Sequence, residues 1–348
     1  MSASFDIGQF GIAPEDEYTH PFSPDHPDWN ESYFFDWYNE DASFAGHCRI
    51  GWHPVQERVL FWFFLYQNEE WLVIEEYRLP LSALELDSKD TSFSYRGWGL
   101  EFSYTPGDPL RNGTMNVSGF ARVLSGKRLG MVLPVAVSLK LDALAPPHSK
   151  GAGEVEGHSA EGYTTNRYEQ PIKAACAASV DGVEQSFEVR GERDHSWGPR
   201  PWDMEWSFLV INNKDFCLQA TVVQIPEWPE IKMGYFKGAD GEMVNLSDVD
   251  FQIEYNANAP EHAVQGKVTL TTENGTVIQA DVEAVSGTEI DITHTFDTPK
   301  RTEYRRSLVR CQFHGEREGV VSPGWFECNR SVGANTDGDL DKNTDKNN

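Results

Sequence analysis

Short runs of β-branched and aromatic residues, broken at short intervals by glycine, asparagine or aspartate, extend along most of this chain of 348 residues. Hydrophobic positions in these runs alternate with the period of two that is typical of strands, whereas the helical period of 3.6 is scarce. The dipeptide Asp181-Gly182 predicts a tight hairpin turn. Four successive strands are predicted at 32–38, 43–52, 58–67 and 71–79. Many antiparallel strands at this spacing predict an all-β protein built from barrels or sandwiches.

A stretch rich in proline, glycine and charge, without an apolar period, interrupts the strand pattern near the middle of the chain. It predicts two β domains, at residues 1–150 and 166–332, joined by a linker at 151–165. The last sixteen residues, 333–348, contain a single leucine. Because such a segment cannot bury enough apolar surface to offset the entropy of ordering, it is predicted to be a disordered acidic tail.

Charge and composition limit the partners of the chain. It has 29 Lys+Arg against 55 Asp+Glu, a formal net charge of −26, so nucleic acid and anionic membranes are disfavoured. The longest apolar run, 59–66, has eight residues and is short of the roughly twenty needed to span a bilayer. Five widely spaced cysteines without a CxxC pair, and an N-terminus unlike a signal peptide, predict a cytoplasmic protein. An apolar small molecule is the favoured partner, and the oligomeric state is left open.

The densest chemistry lies in the run GERDHSWGPRPW at 191–202, which holds acidic, basic and aromatic side chains within twelve residues. With the period of two, Arg193, His195 and Trp197 continue the apolar face of the strand, while Asp194 lies on the opposite face. Buried arginine and histidine cost free energy unless they are paired. The pattern therefore predicts a polar patch that faces a cavity, with Asp194 turned inward only by a bulge or placed against the other domain.

Residue types in this run suit acid–base chemistry. Histidine and aspartate transfer protons, arginine orients such a group or holds a substrate oxygen, and an indole face stabilises a cation within about 6 Å of its centroid. The alternative is a buried network of histidine, arginine and aspartate that only ties down a hairpin. The run supplies the catalytic candidates His195, Asp194 and Arg193 and the substrate-binding candidates Trp197, Trp202 and Arg200.

Two further segments add candidate substrate-binding residues. Tyr168, Glu169 and Gln170 precede the second strand series, where they form either a solvated loop or one end of the pocket. The segment 28–38 is aromatic on both strand faces, so it fills a core, lines an aromatic cavity with Glu31 as a polar handle, or does both. The sequence has no HExxH, His-X-His or Cys/His grouping at ligand spacing, and no metal is predicted.

Together, Tyr168-Glu169-Gln170 and the run 191–202 resemble the tandem lipocalin-like superfamily of AttH-like proteins, carotenoid 1,2-hydratases and related cyclases. The segments 28–32 and 315–325 fit the same pattern, so the resemblance covers most of the chain. It implies two lipocalin-like antiparallel β-barrel or sandwich domains packed together, with a pocket for an apolar ligand. It also implies a hydratase-like pairing of His195 with Trp197, beside an acid that protonates an alkene.

These features lead to a functional hypothesis with one alternative. The chain is expected to be a cofactor-independent enzyme, either a hydratase or dehydratase or an isomerase or cyclase, that acts by acid–base chemistry on a terpenoid, steroid or polyene-like molecule. The alternative is a non-catalytic carrier of an apolar small molecule, in which the same polar patch anchors the ligand.

Overall fold

Antiparallel strands account for almost all regular structure in the chain. A computed structural model describes residues 5–87, 91–149, 166–200, 204–225, 227–239, 241–254, 264–290 and 301–332. No α-helix occurs within these ranges, which confirms the all-β prediction. The predicted linker at 151–165 and the predicted tail at 333–348 lie outside them. Short 3-10 helices lie at Ile7–Phe10, Pro14–Glu17, Pro54–Gln56, Leu81–Ala83 and Gly315–Arg317.

The first sheet contains eleven strands in the order β4-β3-β2-β1-β11-β10-β9-β8-β7-β6-β5. A further pairing of β4 with β8, through Leu72 opposite Val123, bends the sheet into a ring. The inner face of the ring is a continuous apolar core. The strands are Trp29–Tyr38 (β1), Phe44–His53 (β2), Arg58–Gln67 (β3), Glu70–Pro80 (β4), Leu84–Leu86 (β5), Phe93–Gly97 (β6), Leu100–Pro106 (β7), Asn112–Val123 (β8), Val132–Ala143 (β9), Asn166–Val180 (β10) and Val183–Pro199 (β11).

The second sheet is a closed barrel of eight strands in sequence order. The first strand pairs with the last, so no edge is left open. Its interior is a second, separate apolar core. The strands are Glu205–Asn212 (β12), Phe216–Gln224 (β13), Ile231–Gly238 (β14), Val244–Glu254 (β15), Gln265–Thr272 (β16), Val277–Ile290 (β17), Arg301–Phe313 (β18) and Val321–Val332 (β19).

The hairpin β10–β11 belongs to the first sheet, which corrects the predicted domain boundary. Residues 166–199 were assigned to the C-terminal domain, but β10 pairs with β9 and β11 pairs with β1. The two strands are joined at Asp181 and Gly182, both at positive φ, as the predicted two-residue turn requires. The second barrel therefore begins at β12. Local patterns found the hairpin but not its long-range partners, because pairing between distant strands leaves no short-range signal.

The aromatic run on β3 has both faces buried because the two sheets pack against each other there. Phe61, Phe63 and Leu65 point into the core of the ring. Trp62 and Phe64 point outward and pack with residues of the second barrel. A strand buried on both faces reads as a continuous apolar run rather than as an alternating one. All five cysteines are buried, and none of the helices among the described residues has the length and hydropathy needed to cross a membrane.

One hydrogen bond between the sheets allows their packing to be tested. The Trp71 indole N–H donates to Ser286 Oγ over 2.8 Å. A typical intramolecular hydrogen bond contributes about 1 kcal/mol, so Ser286→Ala is expected to lower the free energy of unfolding by about that amount, and Trp71→Phe by more because a smaller ring replaces the buried indole. Urea unfolding of both single variants and the double variant measures their coupling. A direct contact would be contradicted if the decrease in the free energy of unfolding of the double variant equalled the sum of the decreases of the two single variants.

Candidate functional site

Strand β11 carries different chemistry on its two faces. Arg193 and His195 point toward the inside of the first ring, whereas Asp194 points toward the second barrel. This alternation is that of the predicted strand phase. Since β11 is flanked by β1 and β10 and is covered on both sides, both faces are largely buried. The two faces of β11 are therefore separate candidate sites.

The outward face of β11 lines a cleft between the first sheet and the second barrel, called here the interdomain cleft. Its cavity volume is about 30 Å³, which is room for a water molecule or two, so a larger ligand requires the walls to separate. Aromatic side chains from both sheets form its walls: Phe34, Trp62, Trp206, Phe208 and Tyr304. Among the described residues its charged lining consists of four arginines and two carboxylates: Arg49, Arg167, Arg200, Arg306, Asp194 and Glu327.

At one side of the cleft, Arg167 holds two carboxyl groups at once. Its Nη2 donates to Asp194 Oδ2 over 2.9 Å, and its Nε donates to Glu169 Oε1 over 2.6 Å. Glu169 and Asp194 are opposite each other in the β10–β11 register, so their side chains share a face. Burial, with help from the Asp194 charge, raises the pKa of Glu169 from 4.5 to about 8 despite the attraction of Arg167. One arginine thus joins two carboxyl groups in unlike environments.

This raised pKa predicts how stability changes with pH. Folded Glu169 holds its proton up to about pH 8, whereas the unfolded side chain loses it near 4.5. Its stabilising effect is therefore fully present below the unfolded pKa and is lost as the pH rises through the folded one. The free energy of unfolding should fall between these two pH values in the wild type and fall less in Glu169→Gln, as urea unfolding at both ends of the window would measure. Parallel pH profiles for the two proteins would contradict the assignment.

Across the cleft, a second charged group belongs to the interface of the two sheets. Arg306 of β18 bridges Asp36 of the first sheet and Glu327 of the second barrel. The Trp206 indole N–H donates to Glu327 Oε1 over 2.6 Å. Burial raises the pKa of Asp36 to about 7, and burial together with the Glu327 charge raises that of Tyr304 well above its usual 10. Tyr304 therefore faces the cleft as a neutral phenol whose hydroxyl donates to Glu327.

Two further arginines are held against indole rings. The Arg49 guanidinium lies 4.9 Å from the Trp62 centroid, and that of Arg200 lies 5.9 Å from the Trp206 centroid. Both distances are within the range of a cation–π interaction. Burial is the main cause that lowers the pKa of Arg49 to about 9 and of Arg200 to about 10, and the nearby arginines lower both further. These groups would gain from a negatively charged ligand oxygen between them.

On the inner face of β11, Arg193 is enclosed by hydrogen bonds. It makes a bidentate ion pair with Glu17, at 2.7 and 2.8 Å, and its Nε donates to Gln170 Oε1 over 2.9 Å. The Tyr104 hydroxyl donates to Glu17 over 2.6 Å. Glu17 is fully buried and comes from the N-terminal segment. These contacts of Arg193 and Tyr104 with Glu17 therefore hold the N-terminal segment, residues 5–28, against the first sheet.

His195 lies beside this group, with both ring nitrogens engaged. Its Nε2 is 2.8 Å from Glu31 Oε1, and its Nδ1 is 2.9 Å from the Asp16 carbonyl oxygen. Trp197 stacks on His20, with ring centroids 3.9 Å apart. His20, Glu31 and His195 form a group of metal-ligand type, although the sequence shows no metal-ligand spacing and no metal was predicted.

The predicted site residues therefore separate into three groups. Asp194 and Arg200 line the interdomain cleft, and Glu169 reaches it through Arg167. Trp202 lies outside the described residues. The remaining six lie with the inner face of β11 and are Arg193, His195, Trp197, Tyr168, Gln170 and Glu31.

The sequence missed most of the cleft's second wall. Arg306 and Glu327 come from β18 and β19, more than a hundred residues beyond the 191–202 run. The available signal was a charged residue within an otherwise buried strand, as at Arg306, which is 1% exposed. A buried charge of this kind needs a partner from another element, but the identity of that partner depends on how the two sheets pack.

Comparison with known proteins places the fold in context. A family model described as Domain of unknown function (DUF7064) matches residues 13–332. No curated protein matches the chain. A crystal structure of CghA with Sch210972 superposes with a TM-score of 0.57 at 11% sequence identity, covering 93% of this chain and 96% of CghA.

Two other solved structures show the same arrangement. An AttH protein from Nitrosomonas europaea has a TM-score of 0.53 at 11% identity and covers 95% of this chain and 100% of its own. Kievitone hydratase from Nectria haematococca has a TM-score of 0.51 at 10% identity, with coverages of 94% and 95%. At these identities the likeness shows the fold alone, and it agrees with the two packed antiparallel β domains that the resemblance implies.

Proposed function

The chain belongs to the DUF7064 family, and we propose that this member is an enzyme that acts on an apolar, oxygen-bearing small molecule in the interdomain cleft. The reaction is acid–base chemistry that needs no cofactor: hydration or dehydration, or isomerisation or cyclisation, of a terpenoid, steroid or polyene-like substrate. Two similar folds support the class, one named a hydratase and one crystallised with a small molecule.

The observation that carries the proposal is the carboxyl pair at the cleft. Asp194 lines the cleft, while Glu169 holds a proton up to about pH 8 on the other side of the same arginine. Two carboxyl groups held by one arginine, one of them facing the cleft, suit proton transfer. In this assignment Asp194 exchanges a proton with the substrate. Glu169 keeps its own proton and is a positioning residue.

Charges in the cleft favour one kind of intermediate. Four arginines against two carboxylates, among the described lining residues, stabilise negative charge better than positive charge. Asp194 would therefore remove a proton from carbon beside an oxygenated group, and Arg49 and Arg200 would hold the oxygen on which negative charge develops. The aromatic walls would bind the apolar remainder of the substrate.

A carrier remains the second candidate, favoured by the pairing of Asp194 with Arg167. An ion-paired carboxylate with adjacent arginines can anchor a polar group without reacting. The two functions differ in what happens to the ligand. A carrier binds the ligand and releases it intact, whereas the proposed enzyme breaks or forms a carbon–hydrogen bond.

Exchange in heavy water distinguishes the two functions. Purified protein would be incubated in D2O with a panel of oxygenated terpenoids and steroids that carry an alkene beside a carbonyl or hydroxyl group. Mass spectrometry is expected to show protein-dependent deuterium at carbon for at least one class, because reversible removal of a proton by Asp194 lets a deuteron from solvent return to the same carbon. Binding without deuterium would support the carrier. If the protein showed no binding and no exchange with any compound, both functions would be contradicted.

A further inference from the structure

Three side chains on the inner face of the first ring form a cluster of metal-ligand type. His20 precedes β1, Glu31 belongs to β1 and His195 belongs to β11. One donor atom from each lies within 4.8 Å of the other two. His195 and Glu31 are fully buried, and the His20 side chain is 18% exposed. The cluster lies on the opposite face of β11 from Asp194, so it is separate from the interdomain cleft.

The hydrogen bond of His195 to the backbone fixes the state of its other nitrogen. Nδ1 lies 2.9 Å from the Asp16 carbonyl oxygen, which can only accept. Nδ1 must therefore carry the hydrogen, and Nε2 of the neutral ring presents a lone pair. That lone pair faces Glu31 Oε1 at 2.8 Å. Two lone pairs at this distance repel unless a cation, either a proton or a metal ion, is shared between them.

Glu31 Oε1 also contacts His20, whose backbone N–H donates to it over 3.3 Å. His20 Nδ1 is 3.2 Å from the same Oε1 atom. The second carboxylate oxygen, Oε2, is buried and has no hydrogen-bond partner in the described residues. A buried acceptor without a partner destabilises the fold, because it has lost its hydrogen bonds to water. Glu31 thus presents Oε1 to two imidazole nitrogens and holds a second buried oxygen, Oε2, without a hydrogen-bond partner among the described residues, which suits a bound cation.

We propose that His20 Nδ1, Glu31 and His195 Nε2 bind a divalent transition-metal ion, with Zn²⁺ as the best fit. Two imidazoles and one carboxylate form a donor set that Zn²⁺ binds with ligand distances of about 2 Å. Donor atoms around such a tetrahedral ion lie roughly 3 Å apart, and Glu31 Oε1 lies 2.8 and 3.2 Å from the two imidazole nitrogens. Three protein ligands leave one position for water.

Groups outside the cluster orient its ligands as in known zinc sites. The Asp16 carbonyl accepts from His195 Nδ1, and an Asp16 carboxylate oxygen lies 3.8 Å from His20 Nε2. Metal-bound histidines almost always direct the other ring nitrogen to a carbonyl, a carboxylate or water. The partly exposed His20 provides a path of entry for the ion. A bound ion would tie the N-terminal segment to β1 and β11.

Titration of the full chain with Zn²⁺ tests this site. Protein treated with a chelator and dialysed would be titrated with Zn²⁺ by calorimetry, and metal content would be measured after gel filtration. One Zn²⁺ per chain is expected. His20→Ala should bind at least tenfold more weakly, since loss even of an outer partner costs about 10–100-fold in affinity. The His20 side chain is partly exposed, so this variant is expected to fold.

A matched control is His314→Ala. His314 also lies near two carboxylates, Asp281 and Glu318, but at the surface of the second barrel, and its loss should leave Zn²⁺ affinity unchanged. Absence of stoichiometric Zn²⁺ binding by the wild type would overturn the site, whatever the variants do. Equal affinity in His20→Ala and the wild type would also overturn it. Deuterium exchange on small molecules is a separate readout, so failure of the cleft proposal would leave this result unaffected.

Discussion

Asp194→Asn is expected to lower the rate of deuterium incorporation by about 10²–10⁴-fold, the usual contribution of a general acid or base. Asparagine has nearly the same shape as aspartate, but its amide cannot accept the proton that the reaction transfers. Arg167 would keep its hydrogen bond to Glu169, so the fold of the β10–β11 hairpin should survive. Mass spectrometry of exchange in D2O, with the urea midpoint as a check on folding, measures the effect.

The matched control is Asp142→Asn on the same sheet. Asp142 pairs with Lys173 at 4.0 Å and is 61% exposed, so its loss should change neither exchange nor stability. Undiminished exchange in Asp194→Asn, together with a normal urea midpoint, would remove Asp194 from the mechanism. Since ligand binding depends mainly on the aromatic walls and arginines, the variant is expected to retain binding, which separates loss of catalysis from loss of the cleft.

Arg193→Met should destabilise the protein by about 3–5 kcal/mol, the cost of removing one partner of a buried ion pair. The substitution leaves the Glu17 carboxylate fully buried without its cation, and it removes the hydrogen bonds to Gln170. Methionine fills much of the same volume, so the loss reflects charge rather than a cavity. Urea unfolding of the full chain measures it.

The control for Arg193→Met is the same substitution at an exposed arginine, Arg96. Arg96 pairs with Glu101 at 2.8 Å, but both side chains are largely exposed, and such pairs contribute little because solvent screens them. Arg96→Met should leave the urea midpoint unchanged. An equally small effect of Arg193→Met would contradict the view that this group fastens the N-terminal segment, and would reopen a functional role for Arg193.

The alternation of residues along the strands was predictable from the sequence. Alternation alone separated Asp194 from Arg193 and His195, and the structure places them on opposite faces of β11. The apolar run at 59–66 indicated a core, and its lack of alternation follows from burial of both faces of β3. Such features are local, because a strand's pattern depends on what covers each of its faces.

Features that depend on distant pairing were not predictable. The β10–β11 hairpin joins the first sheet through β1, which lies more than a hundred residues away in sequence. The cleft likewise depends on Tyr304 and Arg306, whose strand carries no catalytic motif. His20 meets Glu31 and His195 only because the N-terminal segment folds over the ring. The period of two tells which residues share a face, but it does not tell what that face contacts.

The central claim is that the interdomain cleft binds the small molecule, and ligand retention tests it most directly. Wild type, Trp206→Ala and Trp98→Ala would be incubated with the same panel, freed of unbound compound by gel filtration and analysed by mass spectrometry. Trp206 lines the cleft, whereas Trp98 is 80% exposed at the turn between β6 and β7. We expect the wild type and Trp98→Ala to retain the same compound and Trp206→Ala to lose it. Equal retention by all three proteins would contradict the account.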